Sequence, residues 1–324
     1  MSEKKPKANI SEGQGRRFNL AQLFSVGTII FIAFLSATYI PQEYLNQVKS
    51  YFIQVGDKTP IKNQELMFEP RKLKDLLEKN DFDQNYRLIE SFFSTQSKIE
   101  FENEHIPKAI YFDVLHGAES NKLIPKNIPS EKEFKQYVSS LGVSNNHHVI
   151  VYDRSEYGFF TSARAWYLFK LYGHDNVSIL NGGFKAWIKE NFQTSNEFFA
   201  PEKVEYKIKF NKDLIRNYEN IEANLKNQNE ILIDSRENDE FNAKDTQTKI
   251  LEQIPNSINL PYSELFDKGK SALKDKSELI ELFKKKKIDL NKPIIASCMY
   301  GVRSCSTLFA AYLLGANSVA LYPV

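Results

Sequence analysis

Cysteine is scarce in this chain. There are two, Cys298 and Cys305, in 324 residues, too few for the disulfide framework that staples small secreted domains. Histidine is nearly as scarce. Its five copies show no Cys/His cluster at ligand spacing, so neither a metal site nor a cofactor is expected. The neighbours His147 and His148 read as a surface turn leading into a strand. Excess charge of one sign is also missing: 43 Lys and Arg face 41 Asp and Glu, and a net +2 gives no electrostatic case for nucleic acid. The basic run Lys284–Lys287 closes a predicted helix, where cations complement the dipole.

Long apolar runs are confined to one place. Leu23 to Ile40 is apolar apart from Ser25, Gly27, Thr28, Ser36, Thr38 and Tyr39. Its 18 residues just reach the span of about 17–25 that crosses a bilayer. Lys4, Lys5, Lys7, Arg16 and Arg17 precede it. This pattern reads as an uncleaved, single-pass signal anchor, with residues 1–22 a basic polar tail on the cytosolic side. A cleaved signal peptide would need a small-x-small site after the apolar core, and none is clean. A mitochondrial presequence is the alternative, weakened by Glu3 and Glu12. Residues 41–66 read as a linker.

What the chain does have is repetition, within a length that allows two domains of roughly 100–150 residues. His148-Val-Ile-Val-Tyr-Asp153 parallels Pro293-Ile-Ile-Ala-Ser-Cys298. Ala165-Trp-Tyr-Leu-Phe-Lys-Leu-Tyr-Gly173 parallels Phe309-Ala-Ala-Tyr-Leu-Leu-Gly315. Asn176-Val-Ser-Ile-Leu180 parallels Ser318-Val-Ala-Leu-Tyr322, and His105–Asp113 parallels Gln253–Leu260. Strands are predicted over 86–90, 109–113, 148–153, 176–180, 230–235, 257–260, 293–298 and 318–322. Helices are predicted over 71–79, 130–139 (capped by Ser130), 162–172, 184–190, 276–287 and 304–314. This alternation predicts an α/β protein of two tandem units, each a small parallel sheet flanked by helices. The first unit is placed at 67–194 and the second at 217–324, with a polar linker over 195–216. The second unit lacks a counterpart of the first unit's closing helix.

The chemistry concentrates at Cys298. A β-branched strand runs straight into it, a loop with Gly301 follows, and then an apolar helix pattern begins. That puts a thiol where open α/β sheets place their sites, with loop amides and a helix dipole to favour the thiolate. Gly301 lets the backbone curl round the sulfur, and Arg303 adds positive charge. The alternative for such a Cys is a buried structural thiol. In the first unit Asp153 holds the equivalent position and cannot act as a sulfur nucleophile. One unit therefore reads as chemical, the other as structural.

These residues resemble tandem rhodanese-type sulfurtransferases of the thiosulfate or 3-mercaptopyruvate kind. The resemblance covers roughly residues 67–324. It rests on Glu104–Asp113, Ser162-Ala-Arg-Ala-Trp-Tyr, Leu180-Asn-Gly-Gly-Phe-Lys-Ala-Trp, Leu232-Ile-Asp-Ser-Arg, Ile254-Pro-Asn-Ser-Ile-Asn-Leu-Pro and Cys298-Met-Tyr-Gly-Val-Arg. It implies an enzyme whose Cys298 carries sulfur as a persulfide, from a small donor to a thiol or cyanide acceptor. The loop Met299, Tyr300, Gly301, Val302 and Arg303 would hold the charged sulfur, and Asp234 and Arg236 would brace that loop. Arg303 would touch the donor or pin the loop to a carboxylate, while Arg164 and Cys305 would be structural. The loop departs from the family's usual Arg-Lys-Gly-Val-Thr and Gly-Ser-Gly-Val-Thr, and Glu240 and Asn242 stand where a substrate-holding Arg is usual. Glu240 is therefore expected to repel an anionic donor. Two other readings stand beside this one. A membrane-tethered, non-catalytic rhodanese module would bind a partner or a sulfide species. A Cys-dependent phosphatase would need a longer loop than the four residues between Cys298 and Arg303.

Overall fold

Two sets of parallel strands carry the computed structural model, which describes residues 65–118, 127–243 and 253–323. The 23–40 segment expected to span a membrane lies outside these residues, as do the basic tail and most of the 41–66 linker. Among the described residues no helix is long and apolar enough to cross a bilayer. The first half runs β1 (Met67–Phe68), α1 (Pro70–Leu77), α2 (Phe82–Asn85), β2 (Tyr86–Phe92), α3 (Thr95–Asn103), β3 (Ile110–Asp113), α4 (Glu131–Ser140), β4 (His148–Tyr152), α5 (Thr161–Leu171), β5 (Val177–Leu180) and α6 (Gly183–Lys189). The second runs α7 (Tyr218–Asn227), β6 (Ile231–Asp234), α8 (Asn238–Phe241), β7 (Ile258–Asn259), the small antiparallel pair β8 (Phe266–Asp267) and β9 (Ala272–Leu273), α9 (Lys276–Lys285), β10 (Ile294–Ser297), α10 (Arg303–Leu313) and β11 (Val319–Tyr322).

The first sheet has the order β1-β5-β4-β2-β3 and the second β11-β10-β6-β7. All neighbours in both are parallel. Setting β5-β4-β2-β3 over β11-β10-β6-β7 turns the sequence repeat into a repeat of topology. The central strands β4 and β10 are buried almost throughout, as parallel strands covered on both faces must be. Local signals start the helices. Ser130 accepts from the Glu133 amide ahead of α4, and Asp275 and Glu278 form a capping box on α9.

One apolar core runs through both halves and includes Phe112, Trp166 and Phe169 with Leu279, Phe309 and Leu321. Its seam is α5 against α10. The Phe309 ring lies 5.0 Å from Trp166 and 5.5 Å from Phe159. Ser306 Oγ donates to the Phe159 carbonyl at 2.6 Å, and the Leu321 amide donates to Tyr167 Oη at 3.0 Å. The 195–216 segment bridges the halves: Tyr206 is fully buried and stacked on His174 of the first, while the Arg216 amide donates to the Leu321 carbonyl of the second at 2.8 Å.

His147 differs from its expected place in a surface turn. It is buried, and its Nδ1 accepts from the Ser144 amide at 2.9 Å. His148 Nε2 meets Ser178 Oγ at 2.6 Å, and His174 lies between Tyr206 Oη and the His147 carbonyl. A paired His-His looks polar in sequence, but at the start of a central strand both rings are covered.

Candidate functional site

Cys298 sits immediately beyond β10, whose two neighbours are β6 and β11. The strand delivers the thiol to the carboxyl end of the sheet, where loops converge. Only 6 % of the residue is exposed, and its Sγ is 3.5 Å from Ser304 Oγ in the first turn of α10. The loop then turns at Gly301, whose φ of +64° lies in the left-handed region that suits glycine. Val302 is buried, Met299 is half-buried, and Tyr300 is the exposed member. Helix α10 opens at Arg303, so its positive dipole end faces the loop.

Arg303 pins the loop to a carboxylate. Its Nη2 donates to Glu240 Oε1 at 2.7 Å and its Nη1 to Oε2, a bidentate pair. Hydrogen bonds from Arg303 hold the Glu240 carboxyl below its ordinary range. Burial works against the Arg303 charge, but Glu240 and Cys298 more than offset it and raise its pKa. Glu240 is therefore not the free repelling charge expected from sequence: it is neutralised, and so is the cation beside the thiol. The expectation failed because the two residues are 63 positions apart and only the fold brings α8 to α10.

Asp234 and Arg236 pair with each other, both buried, through Arg236 Nη2 to Asp234 Oδ2 at 2.7 Å. Asn259 Nδ2 donates to the carbonyls of both. The link from this strand end to the site runs through the residue between them. The Ser235 amide donates to the Ser297 carbonyl at 2.9 Å, and Ser235 Oγ meets Thr307 Oγ1 of α10 at 2.7 Å. Cys305 is fully buried, and its Sγ donates to the Gly301 carbonyl at 3.0 Å. Burial pushes its pKa up to about 12, so it stays a thiol.

Sequence reasoning missed how Arg164 reaches the site. This fully buried side chain of α5 crosses the seam and donates from Nη1 to the Gly301 carbonyl at 3.1 Å and from Nη2 to the Asn127 carbonyl at 3.1 Å. The available signal was a lone arginine near the start of a helix that is otherwise largely apolar, since a buried cation survives only where acceptors meet it.

The first half shows what its loop has become. Asp153 stands one residue past β4, as Cys298 stands past β10. Its carboxylate accepts from the amides of Ser155 (2.9 Å), Thr161 (2.8 Å) and Ser162 (2.8 Å), and from Ser155 Oγ at 2.5 Å. A loop with a helix N-terminus behind it is filled by the protein's own anion. A cleft of about 580 Å³ also lies in the first half, with Tyr111, Tyr137 and Phe199 among its lining side chains. None of the residues of the Cys298 loop lines it.

The rhodanese-like domain family matches this chain twice, over residues 69–190 and 217–323. Thiosulfate sulfurtransferase of Mus musculus is 36% identical over 231 residues, covering 70% of this chain and 77% of that protein. The 3-mercaptopyruvate sulfurtransferase of Homo sapiens is 32% identical over 226 residues, covering 69% and 76%. Among solved structures, SseA from Escherichia coli, described with the 3-mercaptopyruvate sulfotransferases, gives a TM-score of 0.70 at 26% identity, covering 80% of this chain and 98% of that one. The sulfur transferase subunit of yeast mitochondrial complex I gives 0.68 at 25%, covering 80% and 94%. With two matching domains, two parallel sheets of one topology and a thiol at the end of only one of them, the chain belongs to the rhodanese-like family. Within that family it is a sulfurtransferase.

Proposed function

We propose that this sulfurtransferase moves a sulfane sulfur through Cys298, with thiosulfate as its preferred donor. The carrying observation is the placement of Cys298 at the end of a central strand, inside a glycine loop and ahead of the N-terminus of α10. The Cys298 thiolate attacks the outer sulfur of thiosulfate. The sulfur–sulfur bond of the donor breaks, and sulfite leaves with its electron pair. Cys298 then carries a persulfide, whose negative charge the amides of 299–303 and the helix end are suited to hold. Cyanide or a thiolate attacks the terminal sulfur, and the Cys298 thiolate returns as leaving group, closing a two-step cycle.

Donor preference follows from charge. Mercaptopyruvate presents a carboxylate, best met by an arginine fork. Arg303 already spends its fork on Glu240. Thiosulfate is smaller and needs only the amide nest, so weak activity favouring thiosulfate over 3-mercaptopyruvate is expected. Incubation with thiosulfate followed by mass spectrometry tests the assignment. Cleavage after Arg303 separates the two cysteines, and one added sulfur should map to the Cys298 peptide and disappear with cyanide as thiocyanate forms. Cys298→Ser should abolish both signals. Sulfur on Cys305, or no thiocyanate, would refute the assignment, the latter favouring a non-catalytic module.

Residues 1–40 complete the proposal as a membrane anchor, with a mitochondrial presequence as the alternative that the yeast mitochondrial subunit supports. Carbonate extraction should leave the intact chain in the pellet. Recovery of a soluble chain that lacks its first ~40 residues would favour the presequence.

A further inference from the structure

The main-chain carbonyl of Gly301, in the Cys298 loop, receives donors from both halves of the protein. Arg164 Nη1 of α5 reaches it at 3.1 Å, and Cys305 Sγ of α10 reaches it at 3.0 Å. The second contact is a back-bond to the carbonyl four residues earlier, a habit of small polar side chains in a first helical turn. The guanidinium is packed against this backbone: a Cβ placed on Gly301 would lie 3.0 Å from Arg164 Nη1. A peptide is planar, with its C=O and N–H pointing opposite ways. Two donors on the Gly301 oxygen therefore turn the Val302 amide away from Arg164 and Cys305 and into the loop. Glycine at a positive φ is the residue most able to let this peptide flip. A flipped peptide would point an oxygen, not an N–H, into the loop.

We propose that Arg164 of the non-catalytic domain and Cys305 are positioning residues for sulfur transfer, locking the Gly301–Val302 peptide so that its amide serves the anionic sulfur on Cys298. The inference rests on the reading of Cys298 as the nucleophile, and it assigns the first domain a part in the chemistry of the second. Arg164 donates to the carbonyls of both Gly301 and Asn127, so the cation also ties the loop to the segment ahead of α4.

The test is the pH profile of Cys298 alkylation by iodoacetamide, followed on the Cys298 peptide in the full-length protein. It uses no sulfur donor, so it reports loop positioning whether or not thiosulfate proves to be the substrate. The persulfide measurement reports that separately. Arg164→Met should move the profile to higher pH, but the loss of a nearby charge alone would do the same. The deciding pair is therefore neutral. Cys305→Ala removes one donor from the Gly301 oxygen and should slow alkylation at pH 7 by roughly 2–10-fold, the range of one ordinary hydrogen bond. Cys305→Ser replaces the donor and should restore most of that loss. An unshifted Cys305→Ala profile, or a Cys305→Ser profile shifted just as far, in variants with unchanged circular dichroism, overturns the proposal. If Arg164→Met fails to fold, the Cys305 pair still decides.

Discussion

Arg303 stands five residues beyond Cys298, close enough to serve an anionic donor, yet both of its Nη atoms go to Glu240. Neither side chain of the pair is more than 20% exposed, so water screens it little. The sign of its pH dependence is fixed by the Glu240 carboxyl, which lies below its ordinary range. Its contribution to stability is present above the unfolded carboxylate pKa and is lost only as pH falls through the lower folded value. Across the neutral range the ion pair stays closed. Glu240→Gln removes the charge that holds the fork and leaves Arg303 available to a dianion. A charge-assisted hydrogen bond contributes about 1.5–3 kcal/mol. With part of that spent on rearrangement, the KM for thiosulfate should fall several-fold, up to about tenfold, while the melting temperature drops slightly. Steady-state assays with cyanide as acceptor decide it. A KM that rises or stays put would mean that Arg303 does not turn to the donor when released.

Loop and helix act together as an anion cradle in the first half, where the anion is the protein's own side chain. Asp153 takes three amides and two hydroxyls, Ser155 Oγ closely and Thr161 Oγ1 at 3.4 Å. Asp153→Asn keeps the shape but turns one acceptor into a donor that faces amides. It should cost about 1.5–3 kcal/mol of stability by the value of charged hydrogen bonds, seen in urea unfolding, while persulfide loading per folded molecule persists. An undiminished midpoint would show that the cradle holds Asp153 only incidentally. At this scale much was legible in the sequence. The strands that flank the site, and the helix that follows Cys298, lie within a residue or two of the predicted spans, because long buried runs and Gly punctuation are local signals; the short helix Asn238–Phe241 that carries Glu240 was not predicted. Helices Thr95–Asn103 and Tyr218–Asn227 were not predicted. The first shows almost no amphipathic pattern, and the second lies in a stretch whose Asn-rich composition resembles a loop. The Cys298–Asp153 asymmetry was legible too, but the Arg303–Glu240 pair and the Arg164–Gly301 contact were not. They join residues 63 and 137 apart, and no local period encodes such a meeting.

Across the whole molecule, buried titratable groups in the first half should set the acid limit of the fold. His147, His148 and His174 are each pushed down to about 4, chiefly by burial, with Arg87 adding to the effect on His147. They are neutral in the folded protein, while the unfolded chain binds their protons near pH 6.5. Their contribution is complete above that value and is lost as pH falls from 6.5 towards 4. Glu90 works the other way. Fully buried, it is raised to about 7 by that burial, although Arg154 and Tyr152 donate to it. Folding takes up its proton, so its contribution is present below the unfolded carboxylate pKa and is lost as pH rises through 7. Three histidines outweigh one carboxyl between pH 4 and 6.5. Each group that titrates fully in one state alone changes stability by about 1.4 kcal/mol per pH unit. The melting temperature should therefore fall steadily from pH 7 to 4.5. Glu90→Gln should steepen that fall at its acid end and relieve the protein above pH 7, so that the variant's stability relative to the parent improves from pH 5 to pH 8. Calorimetric melts at these pH values provide the check, and a flat profile for the parent would mean that the buried histidines find their protons in the folded state after all.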